Sequence, residues 1–269
     1  MFLENCKIIE NKKVDSHYYL MKIESATMSE ASKPGQFFMF RCKNGINILR
    51  RPISLHNVDK ENGILEFYYE VKGKGTEEFS KMKIGELLDI QGPLGNGFSH
   101  KVKNKTVLLI GGGMGLAPMK YLLHSLANTG NRVIFIAGGR NSGALKILDN
   151  FNLEEKNIEL HIMSDDGSTG EKGNVIEKMR EVINNNQVDR VYSCGPHRMM
   201  ELVGEIANKK NIWCEISLEE RMACGVKACV GCSIKTLDGM KKVCHEGPVF
   251  DSKIIVETMP IQAEPCSCI

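Results

Sequence analysis

From Thr106 onward the sequence alternates short apolar runs with stretches of helical periodicity, and this alternation restricts the fold more than any other feature. Short continuous apolar runs are typical of strands buried on both faces, and helices between them predict crossover connections. The apolar runs cover 106–111, 132–138, 158–164, 189–195 and 211–218, with helical stretches at 117–129, 144–151, 175–185 and 197–210. The pattern predicts a doubly wound α/β domain whose parallel sheet has about five strands.

The segments before and after this α/β region have different residue patterns. In the first 100 or so residues, glycine and proline separate aromatic and aliphatic runs at 17–25, 36–40, 63–71 and 86–91, which predicts a small antiparallel barrel or sandwich. From about residue 219 too few apolar positions remain for an independent core, so we expect a metal or cluster to hold this segment together. We therefore predict domains at 1–101, 102–217 and 218–269.

The composition excludes several classes of function. The chain of 269 residues is 42% apolar and 25% charged with a net charge of +2, which is typical of a globular protein and gives no basic stripe for nucleic acid. No run reaches the roughly 18 apolar residues of a membrane helix, and the N-terminus lacks the apolar core of a signal peptide. We therefore expect a cytoplasmic protein that binds neither nucleic acid nor membrane.

Clustered cysteines in a reducing compartment are more often metal-binding or redox-active than disulfide-bonded. The spacing C-x4-C-x2-C-x11-C is formed by Cys224, Cys229, Cys232 and Cys244. It matches plant-type 2Fe–2S sites, where three ligands share one loop and the fourth is distant. Zinc sites usually pair their ligands in two knuckles, so zinc fits this spacing less well; disulfides and free thiols are further alternatives. Cys266 and Cys268 belong either to an accessory metal site or to a frayed tail.

A glycine-rich stretch, GGGMGLAP, follows the first strand of the α/β region and opens its first helix. Glycines at 111, 113 and 115 would let the backbone approach a pyrophosphate at the helix N-terminus, although a tight turn without a ligand has the same composition. The acidic residue expected about twenty positions later is absent. The pair Asp165-Asp166 could instead bond a ribose diol and repel a 2′-phosphate, which favours NAD over NADP; a solvated loop is the alternative.

Two further motifs are ambiguous when taken alone. In RRPIS, Arg51 and Ser54 could bind one phosphate together with amides near Gly73 and Gly75, but these are also common turn compositions. The turn 194–196, Cys-Gly-Pro, ends a strand at the edge of the sheet where cofactors bind, although a single buried cysteine is usually inert core.

Together these motifs resemble the ferredoxin–NADP reductase superfamily over nearly the whole chain. Within it, the sequence is most similar to the electron-transfer subunits of B-type dihydroorotate dehydrogenases. The blocks that carry the resemblance, in the family's order, are RRPIS, GKGT, GPLGNGF, GGGMGLAP, SDDGS, CGP, SLEERMACGVKACVGC and VCHEGPVF. The resemblance implies an N-terminal antiparallel flavin-binding barrel, a central nucleotide domain with a doubly wound parallel sheet, and a small C-terminal 2Fe–2S module.

The resemblance also implies a cofactor for each set of residues. Those implied for FAD are Arg51, Pro52, Ile53, Ser54, Tyr68, Tyr69, Glu70, Gly75 and Thr76. Those implied for NAD are Gly111, Gly112, Gly113, Gly115, Cys194, Gly195 and Pro196. Cys224, Cys229, Cys232 and Cys244 would bind the 2Fe–2S cluster. Ile53 departs from the superfamily, since many of its reductases place a tyrosine there to pack on the flavin.

The function implied is that of an oxidoreductase subunit in pyrimidine biosynthesis. Electrons from dihydroorotate, oxidised on a separate catalytic flavoprotein subunit, would pass through the cluster and FAD to NAD, an order that suits one-electron and hydride carriers. No residue of this chain is expected to act on dihydroorotate. A heterotetramer with two copies of each subunit is expected. The alternatives are an electron-transfer subunit of a ferredoxin:NADP oxidoreductase or sulfhydrogenase, and a zinc-stabilised binding protein without redox activity.

Overall fold

The computed structural model describes residues 1–43 and 48–255, so Cys266 and Cys268 lie outside the described residues. Two seven-stranded sheets and a short hairpin make up the fold. The first sheet is antiparallel, the second is mainly parallel, and this arrangement confirms the predicted fold class.

The N-terminal sheet curls around an apolar interior that includes Phe38, Phe40 and Phe67, whose rings pack edge to face. Its order is β4-β3-β7-β1-β2-β6-β5. The strands are β1 (Phe2–Lys13), β2 (Tyr18–Glu24), β3 (Phe37–Phe40), β4 (Arg51–Ser54), β5 (Asn57–Asp59), β6 (Ile64–Glu70) and β7 (Leu87–Leu94), with helices α1 (Ala26–Ala31) and α2 (Lys74–Lys81) between them.

The strand β1 was not predicted from the sequence, although it pairs with both β2 and β7 and therefore joins the two halves of the sheet. Only Cys6 and Ile8 of its twelve residues are buried, so it lacks the long apolar run from which β2, β3, β6 and β7 were predicted. The helix α2 also went unrecognised, because it is eight residues long and buries just Gly75 and Phe79.

Six strands of the second sheet pair in parallel, in the order β11-β10-β9-β8-β12-β13, and the seventh strand comes from the third segment. The six parallel strands are β8 (Thr106–Gly112), β9 (Arg132–Gly139), β10 (Ile158–Ser164), β11 (Glu171–Lys172), β12 (Arg190–Cys194) and β13 (Trp213–Ser217). The helices are α3 (Met119–Ala127), α4 (Ser142–Leu145), α5 (Val175–Asn185) and α6 (His197–Lys209). The stretch predicted as one helix at 144–151 is the end of α4 followed by the 3-10 turn Lys146–Asn150.

The third segment is built onto the second sheet. Its hairpin of β14 (Ser233–Thr236) and β15 (Gly239–Lys242) precedes β16 (Val249–Asp251), which pairs antiparallel with β13 at the sheet edge. Cys232, Val243 and Phe250 pack in the same apolar cluster as the strands of the parallel sheet. This shared core explains why so few apolar residues suffice for the segment.

The barrel and the parallel sheet meet at the start of α3. His56 is fully buried, its Nδ1 donates to the Ala117 carbonyl over 2.7 Å, and its own carbonyl accepts the Tyr121 amide. A largely buried ion pair of 2.8 Å joins Lys120 of α3 to Glu66 of β6. Among the described helices, none has the length and apolar character needed to span a membrane.

A hydrogen bond between Tyr192 and the connection into the second sheet gives a test of this packing. Tyr192 is buried and its hydroxyl donates to the Ser99 carbonyl over 2.8 Å, so Tyr192→Phe removes this hydrogen bond and leaves the ring in place. We expect the free energy of unfolding to fall by about 1 kcal/mol, measured by urea unfolding at saturating FAD. Tyr19→Phe, on the barrel, is the control; an equal loss in both variants contradicts the assignment.

Candidate functional site

A cleft of about 1680 Å³ lies between the barrel, the carboxyl edge of the parallel sheet and the start of the third segment. Most of the residues predicted from the sequence to bind FAD or NAD line this one cleft. They are Arg51, Pro52, Ile53, Ser54, Tyr68, Tyr69, Glu70, Thr76, Gly112, Gly113, Gly115, Cys194, Gly195 and Pro196. Gly75 and Gly111 lie behind its wall, where they let Arg51 and Leu116 approach closely.

The two arginines of RRPIS have different roles. Arg50 is fixed within the barrel, where its guanidinium bonds both Asp89 carboxylate oxygens at 2.8 and 2.9 Å. Arg51 lies against Gly75, so closely that a Cβ on Gly75 would come within 2.7 Å of the Arg51 Nε. Gly75 therefore leaves room for a guanidinium beside the N-terminus of α2.

The N-terminus of α2 is ordered by its own side chains. Thr76 Oγ1 accepts hydrogen bonds from the Lys72 and Gly73 amides at 3.0 and 3.3 Å, and donates to the Gly73 carbonyl. Gly73 is the N-cap residue and has no side chain to occupy the remaining amides. A helix N-terminus next to an arginine binds anions well, so these residues fit a pyrophosphate.

The strands β4 and β6 offer the cleft an apolar wall. Ile53 is 8% exposed, and Tyr68 is 3% exposed with its ring stacked on Tyr18 at 5.9 Å. Tyr69 alternates to the other face of β6, where its side chain packs in the barrel core and its hydroxyl donates to Asn11. An aliphatic residue and a tyrosine ring thus form a wall that fits a flat, mainly apolar ring system.

At the nucleotide side, the turns after β8 and β12 touch each other directly. A Cβ on Gly115 would lie 2.3 Å from the Cys194 carbonyl oxygen, and one on Gly112 would lie 2.6 Å from the Met199 sulfur. Gly113 has a φ of +54° and no neighbour within 4 Å of an added Cβ. The contacts at Gly115 and Gly112 therefore require glycine for packing, whereas Gly113 lines the cleft without a close neighbour.

The structure differs from the sequence interpretation at the helix that follows. A 3-10 turn, Gly113–Leu116, intervenes, and α3 begins only at Met119. The first-turn amide of Tyr121 donates to the barrel at His56 and does not face the cleft. The Tyr121 amide is consequently not available to a phosphate in the cleft.

The two aspartates after β10 have different surroundings. Asp165 lines the cleft together with Arg140. Asp166 bonds the Ser168 amide at 2.9 Å, and its pKa is lowered by the hydrogen bonds with Ser168. Of the two acids, Asp165 is accordingly the one that lines the cleft.

Cys194 is a protonated thiol in this site. Burial raises its pKa to about 12, with a further rise from the Glu219 carboxylate. A neutral thiol at the sheet edge gives a small, polarisable contact that does not act as a nucleophile near neutral pH.

The cysteines of the third segment form two pairs. The Cys224 and Cys229 sulfurs lie 3.3 Å apart, and Cys232 and Cys244 contact each other through their side chains. The Val226 and Cys229 amides donate to Cys224 Sγ at 3.5 and 3.4 Å. Burial raises the pKa of Cys224, but these amide hydrogen bonds outweigh it and lower the pKa to about 7.

This pairing fits two iron atoms better than one metal ion. Among the described residues, no three His, Cys, Asp or Glu side chains converge on a single metal position. In a 2Fe–2S cluster each iron binds two cysteines, so two adjacent pairs are the required arrangement. The donor set and the amides around Cys224 therefore fit such a cluster.

The cluster loop also contacts the barrel. Gly225 has a φ of +68°, and an added Cβ would lie 2.8 Å from Met39 of β3. Met39 pairs with Pro52 of β4, the strand that lines the cleft. One side chain and one strand pairing thus connect the cysteine loop to the wall beside Ile53.

Several cleft residues were missed by the sequence analysis. The turn at 15–18 between β1 and β2, and Arg140 after β9, reach the cleft from distant parts of the chain. Asp15 also forms an ion pair of 3.3 Å with Lys146 of the parallel-sheet domain. No local motif marks these residues. Residues 219–222 also line the cleft, and they could have been predicted because they belong to the block SLEERMACGVKACVGC that carries the family resemblance.

Comparison with known families identifies each part of the chain. Residues 5–98 match the family model described as oxidoreductase FAD-binding domain, and residues 109–205 match the oxidoreductase NAD-binding domain. Residues 219–256 match the iron–sulfur cluster binding domain of dihydroorotate dehydrogenase B. The matches confirm the predicted cofactors FAD, NAD and a 2Fe–2S cluster.

Two curated relatives are named dihydroorotate dehydrogenase B (NAD(+)), electron transfer subunit. The protein of Clostridium acetobutylicum is 40% identical over 91% of this chain and 93% of its own length. The protein of Caldanaerobacter subterraneus subsp. tengcongensis is 38% identical over 91% of this chain and 94% of its own length.

Solved structures share the fold. A structure of an NADH-dependent reduced ferredoxin-NADP oxidoreductase covers 94% of this chain and 90% of its own, with a TM-score of 0.83 at 28% identity. The ferredoxin NADP+ reductase of Neisseria gonorrhoeae, with bound FAD and NADP, covers 77% of this chain and 91% of its own, with a TM-score of 0.65 at 17% identity. The second likeness concerns the fold alone.

The contact between Gly75 and Arg51 gives a test of whether the N-terminus of α2 contributes to FAD binding. Gly75→Ala pushes the Arg51 side chain away from the N-terminus of α2, whereas Gly73→Ala meets no atom within 4 Å. We expect Gly75→Ala to weaken FAD binding by roughly tenfold, or about 1.4 kcal/mol, and Gly73→Ala to have little effect. The measurement is FAD titration of the apoprotein by flavin fluorescence, and equal losses in both variants would show that the close approach is irrelevant.

The two kinds of cysteine differ in reactivity in protein from which the cluster has been removed. The pKa of Cys224 is lowered to about 7, so its thiolate fraction rises as pH increases through 7; burial raises that of Cys214 to about 12. At pH 8 we expect iodoacetamide to modify Cys224 well before Cys214, as followed by peptide mass spectrometry. The difference should vanish in urea; faster labelling of Cys214 in the folded chain would be contrary to the structure.

Proposed function

Because this chain belongs to the family of the electron-transfer subunits of dihydroorotate dehydrogenase B, we propose that it passes electrons from a dihydroorotate-oxidising catalytic subunit to NAD+ through a 2Fe–2S cluster and FAD. It is an oxidoreductase component, and the pathway is pyrimidine biosynthesis. The observation that carries the proposal is the continuous connection from the paired cysteines through Gly225 and Met39 to the wall of the cleft.

The cofactors supply a conversion that side chains do not: a cluster carries single electrons, a flavin holds one or two, and nicotinamide accepts a hydride. The residues of the chain hold these groups in order. We assign Arg51–Ser54, Tyr68–Glu70, Gly75 and Thr76 to FAD, and the glycine turn with Cys194, Gly195 and Pro196 to NAD. Cys224, Cys229, Cys232 and Cys244 are assigned to the cluster.

The placement of Asp165 supports NAD as the acceptor. Its carboxylate lines the cleft at the carboxyl edge of the sheet, where it would accept hydrogen bonds from a ribose diol and repel a 2′-phosphate. Arg140 lines the same part of the cleft and is available to the pyrophosphate.

The cluster loop is the proposed contact with the catalytic subunit. Val226 and Val230 on this loop are 37% and 73% exposed, although both are apolar. Exposed apolar side chains beside a redox centre suit a partner that must come close enough for electron transfer. We propose a heterotetramer with two copies of each subunit, located in the cytoplasm, where the eight described cysteines would remain free thiols or cluster ligands.

The function is tested by adding the partner. The purified chain alone should contain flavin and iron and be bleached by NADH, but it should not reduce NAD+ with dihydroorotate. Co-expression with a dihydroorotate-oxidising flavoprotein from the same genome should restore dihydroorotate-dependent NAD+ reduction and give a complex with the mass of two copies of each subunit.

The outcomes separate the alternatives. A colourless protein that contains zinc would overturn the redox function. A coloured protein that binds ferredoxin or hydrogenase subunits in place of the flavoprotein would support the related subunit type, which the likeness to the ferredoxin-NADP oxidoreductase structure keeps as the second candidate.

A further inference from the structure

Lys227 lies at the apex of the loop between Cys224 and Cys229, and its backbone is held in an uncommon conformation. Its φ is +67°, in the left-handed region that residues other than glycine seldom adopt. Such a backbone conformation costs free energy, so contacts with the surrounding structure must stabilise it.

Lys242, at the end of β15, makes the contact that holds the loop apex. Its Nζ donates to the Lys227 carbonyl over 2.9 Å. The rest of Lys242 is fixed as well, because its amide donates to the Glu246 carboxylate at 2.8 Å and its carbonyl accepts the His245 and Glu246 amides. Glu246 in turn lies 3.7 Å from the Lys227 ammonium.

This contact determines where the next amide points. In a trans peptide the carbonyl and the following N–H lie on opposite sides of the plane. When Lys242 fixes the Lys227 carbonyl on one side, the Ala228 amide is directed to the other side, within the loop whose amides bond the Cys224 sulfur. The Val226 and Cys229 amides bond the same sulfur.

Lys242 is also tied to the second cysteine pair. It is paired with Ser233, next to Cys232, and it precedes Cys244 by two residues. The following residue, Val243, donates its amide to the Cys232 carbonyl at 3.0 Å. One lysine therefore connects the loop that carries Cys224 to the turn after β15 that carries Cys244.

We propose that Lys242 is a positioning residue of the cluster, which aims the amides of the 224–229 loop at the Cys224 sulfur and thereby raises the cluster's reduction potential. The reduced cluster carries one more negative charge, and N–H···S hydrogen bonds and a nearby ammonium both stabilise that charge. The potential sets how readily the cluster accepts an electron from the catalytic subunit. The inference rests on the proposed cluster, but it concerns a lysine that ligates no iron.

The test compares the reduction potential of the cluster in four proteins: the natural chain, Lys242→Met, Lys242→Arg and Lys241→Met. Lys241→Met removes the same charge from the adjacent position of β15, which pairs with Ile234. Each protein is purified with its FAD, and the cluster is titrated with a chemical reductant and followed by electron paramagnetic resonance. Iron and flavin are measured in each sample.

In Lys242→Met we expect the equilibrium constant for cluster reduction to fall roughly tenfold, a shift of about 59 mV to lower potential for one electron. Lys242→Arg should restore most of the natural potential, and Lys241→Met should change it little. If Lys242→Met assembles too little cluster to titrate, Lys242→Gln takes its place. Loss of iron from both neutral variants, with Lys241→Met fully loaded, also supports the positioning role.

A natural or raised potential in the neutral Lys242 variants overturns the proposal, as does an equal change in Lys241→Met. Absence of the proposed cluster would be seen separately, since the natural chain would then give no 2Fe–2S resonance at all, and a failure of the proposed partner would be seen in the co-expression experiment.

Discussion

The cleft depends on a buried, neutral imidazole. His56 lies between the barrel strands β4 and β5. Its Nδ1 donates to the carbonyl of Ala117, the first residue after the 3-10 turn that contains the glycines. Burial, reinforced by Lys120, lowers its pKa to about 3, so it carries no charge into the apolar interface near neutral pH. The strand before His56 and the turn before Ala117 both line the cleft, so this hydrogen bond joins two of its walls.

Around that contact, the site is made by backbone groups that come unusually close to each other. Gly115 touches the Cys194 carbonyl, Gly75 touches Arg51, and Gly225 touches Met39. At each position the missing side chain allows one element to approach another, and the three contacts lie at the nucleotide, flavin and cluster parts of the chain respectively. The function therefore depends on main-chain proximity as much as on charged or nucleophilic side chains.

Features determined by local spacing could be predicted from the sequence. The run through Cys224, Cys229 and Cys232, the turn at Gly111 to Gly115, and the helix α5 all lie within short stretches whose composition decides their structure. Features that depend on distant pairing could not. The strand β1 shows two buried residues in twelve, the first-turn amide of α3 is bound by the barrel, and the Lys242 side chain meets a main-chain carbonyl that has no residue signature.

The pairing of β16 with β13 has a mechanical consequence. The iron–sulfur segment is hydrogen-bonded into the nucleotide sheet at β16, while its cysteine loop rests on the barrel at Met39. A rotation of the sheet relative to the barrel would move the cysteine loop relative to Met39 and disturb the close packing at Gly225. The segment thus contacts both larger domains, and the strand pairing that completes the sheet also fixes where the cysteine loop lies against the barrel.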